Sequence, residues 1–390
     1  MSLQTALTGL LGAQTGLNTV SNDLANTSTT AFKSQTALFQ DMYPSGSTNV
    51  PGIGTTTEGI SSDLTQGSLL STGNPLDSAI QGNGYFITTK NGSQQYTRDG
   101  AFQLSTTGQL QTLSGGQVQG YQASATGALS NTLGPITINT GAVPANASAN
   151  LGLTLNLNSG DATTSTTVYD SLGNANKVQL YFAQNPAATV GATPTWTVYA
   201  QPQTSTGTAV GAPQTLTTLN FTASGVLSSG SPATLNVNWG NGSAPSAVAY
   251  NFTGTTLGAQ SFAVAGSTND GYAPGSYSGS TVSTSGQILS TYTNGQTVSS
   301  GTLALANFIN QEGLQPVTGN LYSATPTSGQ PVINTPGTGL AGTLSSGYLE
   351  GSNASTSSLL VSLIQYQQAY QANASAIQTE QQDGTRLSQI

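Results

Sequence analysis

The 390-residue chain contains no His and no Cys. Imidazole acid/base catalysis, thiolate nucleophiles and the commonest zinc ligands are therefore excluded together, and no disulfide can stabilise the fold. Thirteen Asp and Glu remain, with five Lys and Arg, for a formal net charge of -8. Asp161 with Asp170, and Arg98 beside Asp99, are the candidate acid/base groups. Carboxylates this sparse, without a His, Cys or nearby Lys, are poor material for a catalytic pair, and these positions are expected as solvated turns or local ion pairs. Gly82-Asn83-Gly84 lacks a following Lys-Ser/Thr and sits in a β context, so it reads as a turn and not a phosphate cradle. The sequon Asn251-Phe252-Thr253 has no eukaryotic secretory context to give it meaning. No catalytic, cofactor-binding or metal site is expected.

Partners are bounded the same way. Five cations make no basic patch, so nucleic acid is excluded. No run of about 18 apolar residues exists for a membrane helix. Met1 to Val20 lacks a basic start and a cleavage pattern, and polar Gln4, Gln14 and Asn18 interrupt it. It is not read as a secretory signal, and an exported composition without one points to a specialised export route.

Three textures divide the chain into mainly β structure with α-helical termini. Residues 1–26 read as helix, with Leu3, Leu10, Leu17 and Leu24 at a spacing of seven and Ala6, Ala13 and Val20 three residues later. This is a one-sided stripe of coiled-coil type, to which Leu7 adds and which Gly9, Gly12 and Gly16 weaken by roughly 1 kcal/mol each. Residues 353–383 repeat the design: Leu359, Leu363, Tyr366, Tyr370 and Ile377 follow spacings of three and four, with Asn373 in the gap. Thr356 or Ser357 is the expected cap. Each buried Leu contributes on the order of 2 kcal/mol, against about 1–2 kcal/mol per residue for ordering the backbone. Such helices need partners, either each other within one molecule or other copies in a polymer.

The middle reads as all-β. Gly84 to Thr89 is a strand running into an Asn91-Gly92 turn. Residues 151–158 alternate strictly, and 178–182, 196–199 and 235–239 are further strands, with loops at 191–194 and 228–232. No charged residue lies between Lys177 and Asp270. That stretch suggests an inserted domain, leaving flanking segments to join as one discontinuous domain. The expected division is a first helix at 1–30, an extended connector at 31–70, a discontinuous β-domain at 71–145 and 270–345, an inserted β-domain at 146–269, and a second helix at 346–390.

Short motifs then carry a resemblance. Ser21 to Lys33, with Asn22, Asn26 and Phe32, resembles the N-terminal signature of flagellar rod and hook proteins, approximately N-N-x-A-N-x-x-T-x-G-F-K. Ala31 stands for the usual Gly, and Asp23 is unusual. Leu349-Glu350-Gly351-Ser352-Asn353, followed by Leu360, Leu363, Gln367, Tyr370, Asn373 and Ile377, resembles the matching C-terminal signature. There Ser355 stands for the usual Asp, Leu359 for Glu and Gln368 for Arg. Pro75 to Phe86, Tyr96 to Phe102 with Gly108 to Leu110, and Asn307 to Thr325 resemble inner elements of the same family. Val168 to Asn174 resembles the opening of the inserted domain that separates hook from rod members.

The resemblance implies terminal helices forming a coiled-coil-like inner domain beneath two β-rich outer domains. It implies a non-enzymatic structural subunit of the extracellular hook, polymerising into a flexible curved tube that couples rod to filament and transmits torque. Its partners would be itself, the distal rod protein, the hook cap and the hook–filament junction proteins. The implied assembly interface comprises Leu3, Leu7, Leu10, Leu17, Val20, Leu24, Asn22, Asn26, Phe32, Leu359, Leu363, Tyr366, Tyr370, Asn373 and Ile377. Other readings are a distal rod or other axial protein, or a secreted β-rich adhesin, which gives no reason for paired terminal stripes. A polysaccharide-active enzyme would need paired carboxylates in a cleft.

Overall fold

A computed structural model describes residues 3–43, 52–124, 127–186 and 193–387. Its two long helices lie at the ends, α1 at Leu3–Ala25 and α2 at Thr356–Leu387, and strands fill most of the chain between them. Contacts divide the chain into two units. The first holds residues up to 139, 279–290 and 298 onward; the second holds 140–278 and 291–297.

In the first unit, α1 and α2 pack against each other in opposite directions, with Gly16 beside Tyr366 and Gly9 beside Asn373. The segment expected as an extended connector instead forms an antiparallel pair, β1 (Gln35–Met42) and β2 (Gly54–Ser62), with a bulge between Leu38 and Phe39. Ala37 on β1 is buried, and Phe39 and Thr55 approach Gly12 of α1. Part of that connector, 44–51, lies outside the described residues.

The β-body of this unit is built from both halves of the chain. Tyr85–Lys90 pairs with Ser93–Thr97 across Asn91 and Gly92, whose φ values of 51° and 78° suit the expected tight turn. Leu305 then pairs with Phe86, Tyr322 with Tyr96, Leu344 with Ile80 and Leu349 with Leu70. Tyr85, Ile87, Tyr96, Phe308 and Tyr322 share one buried core, with Tyr96 edge-on to Phe308 at 4.8 Å between ring centres. Edge-to-face packing adds about 0.5–1.5 kcal/mol to the area buried.

The second unit is a pair of sheets over one core. Asn150–Leu157 pairs with Ser246–Asn251 and Ala263–Asn269, and its Leu151, Leu153, Leu155 and Leu157 all point inward. The other sheet runs as a meander from Ala162 to Ser229. Its Val178, Leu180, Phe182, Trp196 and Val198 meet those leucines in the same core. The loop expected at 228–232 is shorter, since Ser228 and Ser229 complete a strand. The loop expected at 191–194 begins outside the described residues.

Asp170 is not a solvated turn residue. It is buried and accepts backbone N–H groups from Leu172 at 3.0 Å and Asn174 at 2.9 Å. The side-chain amides of Asn176 and Asn241 add 3.1 and 2.6 Å contacts. Burial pulls its pKa upward, and the donors of Asn174, Asn241 and Asn176 outweigh that and hold it below the usual carboxylate range. Asp161 is exposed and accepts the Gln184 N–H at 2.9 Å.

Candidate assembly surface

Both helices join the β-body of the first unit at a collar where distant segments converge on Glu350. Its carboxylate is fully buried, with Lys33 Nζ 2.6 Å from Oε1 and Arg98 Nε 2.7 Å from Oε2. The Gly67 N–H adds 3.1 Å to Oε1, and the Glu350 carbonyl accepts the Ala31 N–H at 2.7 Å. Arg98 also donates to the carbonyls of Gly84 at 2.9 Å and Gly82 at 3.1 Å. Lys33 reaches the Thr65 carbonyl. Arg98 is thus neither solvated nor paired locally: its partner is 252 residues away. Desolvation lowers the Lys33 pKa, opposed by Glu350 and reinforced by Arg98. Asn353 completes the collar by accepting the Ser34 N–H at 2.7 Å and donating to the Asp63 carbonyl at 2.8 Å.

Above the collar, the face of α1 turned inward is made of small residues. Ala6, Gly12, Ala13, Gly16, Thr19, Val20 and Asp23 are buried. A β-carbon on Gly16 would overlap the Tyr366 ring, and one on Gly9 would lie 2.8 Å from Asn373 Oδ1. The glycines that weaken α1 as an isolated helix therefore let α2 approach it.

The residues expected at an assembly interface separate into groups. Val20 is buried, while Leu10, Leu17 and Leu24 are half-buried. On α2, Leu359, Leu363, Tyr366, Asn373 and Ile377 are half-buried, and Tyr370 is exposed. Leu3 and Leu7, together with Leu11, form an exposed ridge at 46%, 48% and 53% accessibility. A second apolar face, of Leu360, Val361 and Ile364, is exposed on α2; its spacing of three and four runs beside the stripe of Leu359, Leu363 and Tyr366. Asn22 and Asn26 close the end of α1, with Asn26 Nδ2 donating to the Asn22 carbonyl at 2.9 Å. Phe32 is half-buried beside them. Ser355 precedes the first helical residue, so the cap lies one residue before the expected Thr356.

Between the end of α1, the start of β1 and the start of α2 lies a cleft of about 280 Å³. Asp23 lines it, fully buried, with Oδ2 accepting the Gln35 N–H at 2.8 Å. Its Oδ1 has no hydrogen-bond partner among the described residues. Burial raises the Asp23 pKa, opposed by the Gln35 bond. Asp63, Ser355 and Leu359 line the same cleft. Two positions that lack the usual acid of the resembling signature and one that carries an unusual acid thus face a common space.

Residues 154–272 match the family described as flagellar basal body protein FlaE D2 domain. Residues 79–152 match the flagellar hook protein FlgE/F/G D1 domain, and residues 345–390 the flagellar basal body rod FlgEFG protein C-terminal family. The flagellar hook protein FlgE of Escherichia coli is 35% identical over 98% of both chains. That of Salmonella typhimurium is 34% identical, again over 98% of both. The crystal structure of Helicobacter pylori flagellar hook protein FlgE2 shares the fold, with a TM-score of 0.57 at 14% identity over 72% of this chain and all of that one.

Proposed function

The chain belongs to the flagellar hook protein family, and from that premise we propose how it works as a structural subunit of the hook. Paired α1 and α2 helices of many copies pack together as an inner layer, with β-structure outside it. The polymer couples rod to filament outside the cell and transmits torque, meeting the distal rod protein at one end and the cap and junction proteins at the other.

The exposed leucine ridge carries this reading. Leu3, Leu7 and Leu11 recur every four residues on one face of α1, and each remains about half accessible after α2 has packed. Burial against a second copy would stabilise the contact by up to about 1–2 kcal/mol per leucine. Bending follows from the uncharged stretch between Lys177 and Asp270. A surface of Ser, Thr, Asn and Gln exchanges one water-mediated contact for another at little cost. An ion-paired surface would resist sliding.

The test replaces Leu3, Leu7 and Leu11 together by Ser. Monomer folding should be retained, because these side chains are exposed, and hook formation should be lost. Removing residues 1–26 should likewise leave β-units that do not polymerise. Normal hooks from either variant would refute the role given to α1.

A further inference from the structure

We propose that the cleft floored by Asp23 receives Arg386 of a second copy, so that the outer end of each α2 is held at the collar of the next subunit. The proposal rests on the reading of the chain as a polymerising hook subunit and names one contact through which copies join.

The cleft is built for a cation with several donors. Asp23 places a buried carboxylate there with one oxygen unpartnered. Asp63 adds a second carboxylate at the rim, its Oδ1 accepting the Thr65 N–H at 2.9 Å. Ser355 and Ser358 also line the cleft, beside apolar Val20, Leu359 and Tyr366 that can pack against the stem of a long side chain. A planar guanidinium can engage a carboxylate with two parallel bonds and still reach neighbouring hydroxyls.

The supply of cations narrows the occupant. Lys33 and Arg98 are committed to Glu350. Lys90 donates to the Ser114 carbonyl at 2.7 Å, and Lys177 belongs to the second unit. α1 carries no cation, and α2 carries Arg386 alone, in its last turn and exposed. Asp383 lies one turn before it.

Length rules out the same molecule as the source. Ser358 lines the cleft and Arg386 is 28 residues further along one helix, about 42 Å away at 1.5 Å per residue. The alignment of Gly16 with Tyr366 and Gly9 with Asn373 places Leu3 near residue 379. The rest of α2 therefore extends roughly 12 Å past the start of α1. A projecting end and a recess at opposite ends of one helix pair make a head-to-tail contact, the kind that propagates as a helical filament when its rotation does not close.

The experiment uses the absence of Cys. Ser358→Cys and Gln382→Cys are combined, Gln382 lying one turn before Arg386. The two positions are about 36 Å apart on one helix, whereas a disulfide spans about 4.4–6.8 Å between α-carbons, so any bridge joins two copies. Oxidised hooks of the double variant should run as a ladder of multimers on a non-reducing gel, and hooks of either single variant as monomers. Arg386→Gln in the double background should reduce the ladder at least tenfold, and Asp23→Asn should reduce it as well. Arg386→Gln alone should lower the temperature at which isolated hooks depolymerise.

Hooks without a ladder, a ladder indifferent to Arg386→Gln, multimers from a single variant, or an unchanged depolymerisation temperature would each overturn the contact. All of these leave the chain a hook subunit. Failure of the unaltered chain to restore hooks to cells lacking their own hook subunit would instead overturn the broader reading.

Discussion

Glu350 Oε1 lies 2.6 Å from Lys33 Nζ across 317 residues of chain. This bond joins the segment leaving α1 to the segment entering α2, and Arg98 draws the β-body to the same carboxylate. The cluster bears two positive groups and one negative group, so Glu350 is the counter-charge for both cations. Such a cluster need not be more stable than apolar residues of equal volume, but it is costly to break from one side.

Glu350→Gln should therefore destabilise the first unit by about 3–5 kcal/mol, because two cations stay buried without a counter-charge. Lys33→Met should cost less, since Arg98 and Glu350 remain paired. Denaturant titration of the monomer, followed by tyrosine fluorescence, compares the two. Equal losses would mean that Lys33, and not Glu350, organises the collar.

Ala31 adopts φ of 56° while almost fully buried. A left-handed conformation costs a residue with a β-carbon roughly 1–2 kcal/mol, and Gly avoids it at some expense in unfolded-chain entropy. Ala31→Gly should leave stability unchanged or raise it by up to about 1 kcal/mol. Ala31→Val, with a branched side chain at positive φ, should lower it by at least about 1–2 kcal/mol. Thermal unfolding of both variants checks the order, which a packing-only account would reverse.

These residues show what was legible beforehand. Motif order placed Lys33, Arg98 and Glu350 in three separate signatures, yet nothing in their spacing says that they meet, because the ladders joining Leu70 to Leu349 and Tyr96 to Tyr322 are set by tertiary pairing. Alternation at 151–157 gave the buried strand directly, since period two has one solution. The helix stripes were ambiguous. A seven-residue leucine repeat looks like the contact seam, but the close contact uses glycine, whose role depends on what lies opposite. The cleft residue Asp23 stood out only as a departure from a signature, and its burial needed the chain traced through β1.

Gly16 tests the reversal of roles in α1. On propensity alone, Gly16→Ala should stabilise a helix by about 1 kcal/mol. Here the new methyl overlaps Tyr366, and overpacking costs typically 1–3 kcal/mol, so the helix pair should loosen. Far-UV circular dichroism should show the helical signal melting at lower temperature. Adding Tyr366→Ala should recover much of the loss. A rise in helix stability from Gly16→Ala alone would mean that α1 and α2 do not pack through this site.

Two tyrosines make the folded chain sensitive to alkali. Burial pushes Tyr85 in the first unit and Tyr250 in the second up to about 12, with Tyr250 Oη 3.0 Å from Thr166 Oγ1. Each folded value lies above the unfolded one, so the stabilisation is complete below about pH 10 and lost as pH rises towards 12. A shift of that size corresponds to about 2–3 kcal/mol per tyrosine. Unfolding free energy measured by urea titration should fall across that interval, and Tyr250→Phe should flatten the fall for the second unit. An identical pH profile in the variant would show that this hydroxyl is already ionised or solvated in the fold.

Flexibility is tested on the second unit, where no charged residue interrupts the chain from Val178 to Asn269. Exposed strand positions such as Asn236 and Thr268 can carry new charges without disturbing the core. Lys at one and Glu at the other gives adjoining copies opposite charges to pair. An exposed pair contributes only about 0.2–1 kcal/mol, yet the hook repeats it in every subunit, so small terms should add along the tube. Hooks of the variant should be straighter by electron microscopy, and the effect should fade at high salt, where the Debye length falls to about 3 Å at 1 M. Curvature unchanged at low salt would separate bending from surface neutrality and place its origin in the packing of the helices.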